Sequence, residues 1–246
     1  MEIISQIVKS RKNLKDILSD EYDTSILPIY ETEEMDKLFE LESTKDNPFK
    51  LYKFNGNGKG SACNFTLNHK FIPNHKLHVI YYNFQKQGNT KIMKNTIIER
   101  ISKLYENDIL KKTDNIILII NESISDTIKI INDELNLHLK NLYDTKLENN
   151  LGYVNKHFGN VYIFDIKTLQ YNILNHKSVP NHILYRKKSD IDDICKICNC
   201  NINQLPKISK YDPVTKLKMG NDGDIFKIIR KSKTCGDYPY YRVVDD

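Results

Sequence analysis

The sequence lacks tryptophan and any long apolar run. Its 15 tyrosines and 9 phenylalanines must therefore supply the aromatic part of the hydrophobic core. A membrane-spanning helix needs roughly 18 consecutive apolar residues, and no segment reaches that length. The first ten residues, MEIISQIVKS, also lack the basic stretch and apolar run of a signal peptide. We therefore expect an intracellular protein with no membrane partner.

Cysteines are few and odd in number, at positions 63, 195, 198, 200 and 235. This argues against a disulfide framework and for a reducing compartment. The spacing of Cys195 and Cys198 is one that zinc ligands use, but a structural zinc needs four ligands and no second such pair exists. Both cysteines lie on the apolar side of a predicted helix, so we expect them to pack in the core. We expect no metal, cofactor or small-molecule ligand.

The sequence also lacks a strong excess of positive or negative charge. The formal net charge of +5 on 246 residues permits contact with nucleic acid or an acidic partner without requiring either. Hydrophobic residues make up 39% and charged residues 28% of the chain, as in globular proteins. The abundance of Asn, Ile and Lys indicates an AT-rich genome.

Residues 1–174 show the pattern of an α/β domain with a mixed sheet. Strands are predicted at residues 62–67 and 77–84, which would form an antiparallel hairpin, and at 115–120 and 161–166. Helices are predicted at residues 2–19, 31–41 and 90–106, after Ser123 or Ser125, and at 168–171. A polar stretch at residues 137–158 continues the fourth helix into a loop and has the appearance of an insertion.

Residues 175–246 form a second, smaller α+β domain in this interpretation. Polar residues and Pro180 mark the boundary at residues 175–181. A helix begins near Ser189, and short strands follow at 225–230 and 240–244, separated by Pro and Gly turns.

Four segments of this second domain carry a resemblance to a known family. They are VPNH at Val179–His182, NQLPKI at Asn203–Ile208, DPV at Asp212–Val214 and the tail Gly220–Asp246. In order and spacing they closely resemble the C-terminal domain of the fifth subunit shared by eukaryotic nuclear RNA polymerases, which is also the archaeal H subunit. Residues 1–174 resemble the eukaryotic jaw domain of that subunit in outline, and archaeal members lack that domain. The composition points to a homologue from a large DNA virus or another AT-rich lineage.

The resemblance implies a non-catalytic subunit of a multisubunit DNA-directed RNA polymerase. The small domain would dock on the largest subunit, and the large domain would form a jaw near downstream duplex DNA. The protein would act in the cytoplasm or virion if viral, or in the nucleus if cellular. The residues expected at the docking interface are Pro180, His182, Gln204, Pro206, Asp212, Pro213, Lys227, Arg230, Thr234, Gly236, Tyr241 and Arg242.

Contacts between a jaw and DNA would be made to phosphate, independently of sequence. The DNA-proximal candidates are Lys9, Arg11, Lys12, Lys91 and Lys94, which also fit an ordinary solvated helix surface. For Arg230 and Arg242, an interface role and an internal salt bridge remain open. We expect a structural hydrogen bond from His182.

Two other classes of protein remain open. Asp114 and Glu122, near predicted strand ends, could be metal ligands of a nuclease-like enzyme, although no D-x-D-x-D run or tight acidic set is visible. A free transcription regulator could also carry the assembly domain. The segment NGNGKGS at Asn55–Ser61 lacks the spacing and following helix of a phosphate loop. The histidines at 69, 75 and 78 are expected to be exposed.

Overall fold

The computed structural model describes residues 2–41, 60–82, 84, 94–142, 152 and 157–245. The chain divides into two compact units. The first unit comprises Met1–Tyr143 and Phe158–Tyr171, and the second comprises Asp144–His157 and Asn172–Asp246. The assignment of separate roles to residues 1–174 and 175–246 stays a prediction.

The first unit is built on a four-stranded mixed sheet in the order β1-β2-β3-β4. Its strands are β1 (Phe65–Asn68), β2 (Lys76–Tyr81), β3 (Asn115–Ile120) and β4 (Val161–Asp165). The first two strands are antiparallel, and the β2-β3 and β3-β4 pairs are parallel. The expected hairpin and mixed sheet are confirmed, although β2 ends at Tyr81 rather than at residue 84.

Helices cover both faces of this sheet. They are α1 (Glu2–Ile17), α2 (Thr32–Glu40), α3 (Lys94–Glu106) and α4 (Asp126–Leu142). Ile116, Leu118 and Ile120 of β3 pack in one cluster with apolar residues of α3 and α4. On the opposite face, Ser10 of α1 hydrogen-bonds the Tyr81 hydroxyl at 3.0 Å. Because both faces are covered, all six residues of β3 are buried, as the continuous apolar run predicts.

Residues close to the element ends set where α2, α4 and β4 begin. Helix α2 begins with a capping box between Glu31 and Glu34, and α4 begins directly after Ser125. The Asn136 side chain exchanges two hydrogen bonds with the Val161 backbone, at 2.8 and 2.9 Å, and so satisfies the start of β4. The helix expected at residues 168–171 is a 3-10 turn at Ile166–Leu169. Residues 55–59 of the NGNGKGS segment and residues 143–151 and 153–156 of the polar stretch lie outside the described residues.

The second unit contains another four-stranded sheet, in the order β5-β7-β8-β6. Its strands are β5 (Asn181–Tyr185), β6 (Lys207–Ser209), β7 (Ile225–Ser232) and β8 (Gly236–Asp245). Its helices are α5 (Lys188–Cys198) and the short α6 (Pro213–Leu217). Strands β7 and β8 form one antiparallel hairpin that is longer than expected, because their pairing continues from Ile225–Val243 to Ser232–Gly236. The α+β class with a mixed sheet is confirmed.

Cross-strand partners in this sheet point to the same face, and successive residues along a strand point to opposite faces. On the first face, Ile208, Phe226, Ile228 and Val244 form a small buried cluster. On the second face, helix α5 packs Ile191 and Ile194 against the sheet in a separate cluster. The buried members of both clusters lie outside the outer half of the β7-β8 hairpin, where Tyr240 and Tyr241 pack against the cluster edges and most other side chains are exposed.

None of the helices among the described residues combines the length and the apolar character that crossing a bilayer requires.

Candidate functional site

The DPV motif folds as the start of α6. Asp212 is the N-cap residue, and its carboxylate accepts hydrogen bonds from the backbone N–H groups of Val214 at 2.9 Å and Thr215 at 3.3 Å. Pro213 occupies the first turn, where its missing N–H costs nothing. Both residues therefore have a local structural role in addition to any contact with a partner.

The buried carboxylate of Asp224 stabilises the glycine-rich turn that precedes β7. Asp224 accepts a hydrogen bond from the Asn221 N–H at 2.9 Å, and its carboxylate lies 3.8 Å from the Arg186 guanidinium. Arg186 also donates to the Lys218 carbonyl at 2.8 Å. A Cβ at Gly220 would lie 3.1 Å from both Phe226 and Thr215. A glycine suits this position because a Cβ would press on these two side chains in the core of the second unit.

The three clustered cysteines lie at the edge of the core on the second face. Cys195, Cys198 and Cys200 are half-buried and pack against the cluster that contains Ile191 and Ile194. Burial raises the pKa of Cys195 and Cys198, with their neighbouring thiols acting in the same direction. Because Cys195 and Cys198 pack against this cluster, the expectation that they pack with the core is confirmed.

The first face of the hairpin carries two arginines around one tyrosine. The Arg230 guanidinium carbon lies 4.8 Å from the centroid of the Tyr240 ring, and that of Arg242 lies 5.3 Å from it. In the strand register, Arg230 is opposite Tyr238 and Arg242 is opposite Phe226. The two arginines therefore stand on either side of Tyr240 along the hairpin. We call Arg230, Tyr240 and Arg242 the arginine face.

His182 lies on the same side of the sheet, opposite Ile228 in the register. Its Nδ1 lies 2.6 Å from the Pro180 carbonyl oxygen and donates a hydrogen bond to it. Burial lowers the pKa of His182, and Arg230 and Lys218 act in the same direction, while the hydrogen bond and Asp212 oppose them. The neutral ring holds the VPNH segment in place, as expected.

The other residues expected at the interface are divided among several places. Lys227 and Tyr241 are cross-strand neighbours on the second face. Gln204 closes a capping box with Asn201, and the Pro206 carbonyl accepts from the Val243 N–H at 2.9 Å. Thr234 and Gly236 lie at the exposed hairpin turn, where Gly236 has a φ of +70°. All twelve expected residues are exposed or half-buried, but the structure does not bring them into one patch.

The DNA-proximal candidates in the first unit need one correction. Lys9 and Lys12 are exposed on adjacent turns of α1. Arg11 is only 6% exposed, and its guanidinium donates to the Cys63 carbonyl at 2.8 Å and packs 4.5 Å from the centroid of the Phe65 ring. The expectation of a solvent-facing Arg11 is wrong, because α1 turns this residue into the core. Lys91 and the Lys94 side chain lie outside the described residues.

The expected exposure of the histidines is wrong for His75 and His78, which are both buried. His78 bridges Thr66 at 2.9 Å and the Asp114 carboxylate at 3.2 Å. Asp114 also accepts from the backbone N–H groups of Lys76 at 3.0 Å and Lys111 at 3.2 Å. Asp114, which a nuclease would use as a metal ligand, is thus a buried carboxylate that joins β2 to the loop before β3.

Sequence reasoning missed three residues that the structure makes important. Tyr240, rather than Tyr241, is the ring between the arginines, and the two-residue spacing from Arg242 could have revealed this because such residues share a face of a strand. Arg186 and Asp224 are distant in sequence, so nothing local indicated their ion pair.

The fold and the exposed motif residues define a small α+β module of the kind that assembles with other proteins. A model of the family described as RNA polymerase Rpb5, C-terminal domain, matches residues 171–244. That range covers Asn172–Asp246 of the second unit except its last two residues, leaves out the Asp144–His157 part, and includes only Tyr171 of the first unit.

Curated relatives agree with this match. The "DNA-directed RNA polymerase subunit Rpo5" of Methanothermobacter thermautotrophicus is 42% identical over 74 residues, covering 30% of this chain and 95% of its own length. The proteins of the same name from Methanosphaera stadtmanae and Archaeoglobus fulgidus are 42% and 37% identical over 78 and 76 residues, covering 96% and 99% of their lengths and 30% and 31% of this chain. The chain therefore belongs to the family of the fifth subunit of multisubunit DNA-directed RNA polymerases. It is an accessory, non-catalytic subunit whose partners are other polymerase subunits.

Proposed function

We propose that the second unit docks this protein on the largest subunit of its polymerase, and that the first unit serves as a jaw beside the downstream duplex DNA. The observation that carries the proposal is the family match over residues 171–244, the range in which the motif residues stay accessible. An assembly module needs polar and aromatic side chains that its own core does not consume. We further propose that the protein acts inside the cell.

The hairpin supplies the docking surface in this proposal. Its outer half extends beyond the part of β7 that pairs with β5, which ends at Ile229, and beyond the part of β8 that pairs with β6, which begins at Val243. Arginine and tyrosine are the residue types that contribute most often to the energetic centres of interfaces. Arg230, Thr234, Tyr241 and Arg242 are all on this segment.

The support for a DNA contact comes from α1. Lys9 and Lys12 lie three positions apart and are both exposed, so their ammonium groups can reach one stretch of phosphate backbone. Lysine contacts of this kind would grip the duplex independently of sequence and weaken as salt rises.

The docking is tested by purifying the tagged full-length chain from cells that express it and identifying the retained proteins by mass spectrometry. The two largest polymerase subunits should be recovered in about equal amounts with the chain. Lysine-directed cross-linking of this complex should then join Lys227, Lys231 or Lys233 to the largest subunit. A soluble chain that retains no polymerase would overturn the docking, and cross-links confined to another subunit would reassign the partner.

The DNA contact has its own test. Polymerase containing the Lys9→Gln/Lys12→Gln variant is compared with wild type for how its affinity for a downstream duplex falls as the salt concentration is raised. Each phosphate contact that is lost should lower the salt slope by about one unit. The variant Lys111→Gln/Lys112→Gln removes equal charge elsewhere in the first unit and serves as the control. Equal slopes for wild type and both variants would remove α1 from the DNA path.

A further inference from the structure

The two guanidinium groups of the arginine face have few partners in their own chain. Arg242 donates to the Lys207 carbonyl at 3.2 Å, and its Nε atom is buried without a hydrogen-bond partner among the described residues. Arg230 is exposed, and its described contact is the Tyr240 ring. Within residues 157–245, neither arginine lies within salt-bridge distance of a carboxylate. The internal salt bridge that the sequence left open is therefore absent from this part of the chain.

The charges around the arginine face are also mostly positive. Strands β7 and β8 and their turn hold five Lys or Arg residues and two Asp residues. Asp245 is paired with Lys207, and Asp237 alternates onto the second face. Asp212 acts on His182, but its carboxylate is engaged as the N-cap of α6. No described acidic side chain thus offsets the two arginines at close range.

The geometry matches what a carboxylate requires. Guanidinium groups form paired, charge-assisted hydrogen bonds with carboxylates, and an aromatic ring beneath them restricts their motion without consuming their donors. Tyr240 holds Arg230 on one side and Arg242 on the other. Because both guanidinium groups lie within 5.3 Å of the centroid of one ring, an acidic group beside that ring is attracted by both positive charges.

We propose that the arginine face receives a carboxylate side chain from an acidic protein segment of a polymerase subunit. Arg230 and Arg242 bind the carboxylate from two sides, and Tyr240 aligns them. This inference rests on the docking proposed above and names the chemistry of the partner at that surface.

The first test measures how salt releases the complex. The tagged full-length chain and its Arg230→Gln/Arg242→Gln variant are purified with the polymerase, and the two largest subunits retained are quantified as salt is raised. Loss of charge-assisted hydrogen bonds should lower retention at high salt about tenfold. The variant Lys187→Gln/Lys188→Gln removes the same charge from exposed positions of the second unit outside the hairpin and should release the polymerase as wild type does. Circular dichroism checks that both variants are folded.

The second test identifies the chemistry of the partner. The Arg230→Lys variant, purified with polymerase, is treated with a carbodiimide, which joins a lysine amine to a carboxylate in direct contact. The proposal expects position 230 to be linked to an Asp or Glu of a polymerase subunit, and mass spectrometry of the linked peptide names that residue.

The outcomes separate this inference from the function on which it rests. If wild type retains no polymerase, the docking itself fails. If polymerase is retained but the arginine and lysine double variants release it at the same salt and position 230 gives no link, the docking stands and the arginine face is not its anchor. If nuclease treatment alone releases the polymerase from wild type, the retention runs through a nucleic acid and the acidic protein segment is overturned.

Discussion

Arg11 in the first unit and Arg230 in the second carry the same charge but meet opposite surroundings. Arg11 is buried. Its guanidinium donates to a main-chain carbonyl, that of Cys63, and packs against the Phe65 ring. Arg230 is exposed on a hairpin and contacts a tyrosine ring. Asp114 resembles Arg11 in being a buried charge with partners in its own chain, because its carboxylate joins two backbone segments and a histidine. The first unit thus uses these charged groups to hold its own fold, whereas the second unit buries Arg186 against Asp224 but leaves Arg230 accessible.

The largest expected effect comes from breaking the buried network of the first unit. Replacing Asp114 with Asn removes the charge that two backbone N–H groups and His78 share, so the free energy of unfolding should fall by about 3 kcal/mol. Urea unfolding of the full-length chain measures this fall. The exposed change Glu99→Gln on α3 loses only a surface ion pair with Lys103 and should lower the free energy of unfolding only slightly. A small effect at Asp114 would mean that the carboxylate does not organise this part of the sheet.

The pH dependence of stability should come next in size. Burial lowers the pKa of His75 to about 4, with His69 acting in the same direction and Asp114 opposing. The unfolded state takes up a proton near pH 6.5 and the folded state does not, so stability is present above that pH and is lost as pH falls toward 4. Lowering the pH from 7 to 5 should therefore reduce the free energy of unfolding by about 2 kcal/mol through His75.

The His75→Gln variant tests the assignment, since it should flatten the urea-unfolding profile between pH 7 and pH 5. The exposed His176→Gln variant should leave the wild-type slope. If both variants keep that slope, other groups control the pH dependence.

Replacing the two kinds of arginine sharpens the comparison directly. Arg11→Met keeps much of the side-chain volume but leaves the buried Cys63 carbonyl without its donor, so stability should fall by about 1.5 kcal/mol. The neighbouring exposed change Lys12→Met should be neutral within about 0.5 kcal/mol. Equal effects of Arg11→Met and Lys12→Met in thermal or urea unfolding would contradict the structural role of Arg11.

The smallest effect is expected from the hairpin. Arg230→Gln loses only the contact of an exposed side chain with the half-buried Tyr240 ring, so the free energy of unfolding should change by no more than about 0.5 kcal/mol. The same variant should weaken retention of the polymerase if the arginine face is a docking site. A large loss of stability would instead place Arg230 among the residues that hold the fold, as Arg11 does.

Local patterns explain which parts of the fold were predictable. The apolar run at Asn115–Ile120, the helical spacing in α1 and the Asp212-Pro213 cap are each determined by residues close in sequence. The strand ends and the 3-10 turn at Ile166–Leu169 were misplaced, because pairing with distant strands and packing against α1 decide them.

The sequence by itself determined the class of each element and, through the motifs between Val179 and the C-terminal tail, the family to which the chain belongs. Tertiary structure alone decided which charged residues remain available. Arg11 and Lys12 are neighbours with the same formal charge, yet only Lys12 is exposed. The two side chains leave different sides of α1, and other elements of the unit pack on the side that carries Arg11. Similarly, local spacing puts Tyr240 and Arg242 on one face of β8, but only the register of β7 against β8 placed Arg230 on the other side of Tyr240.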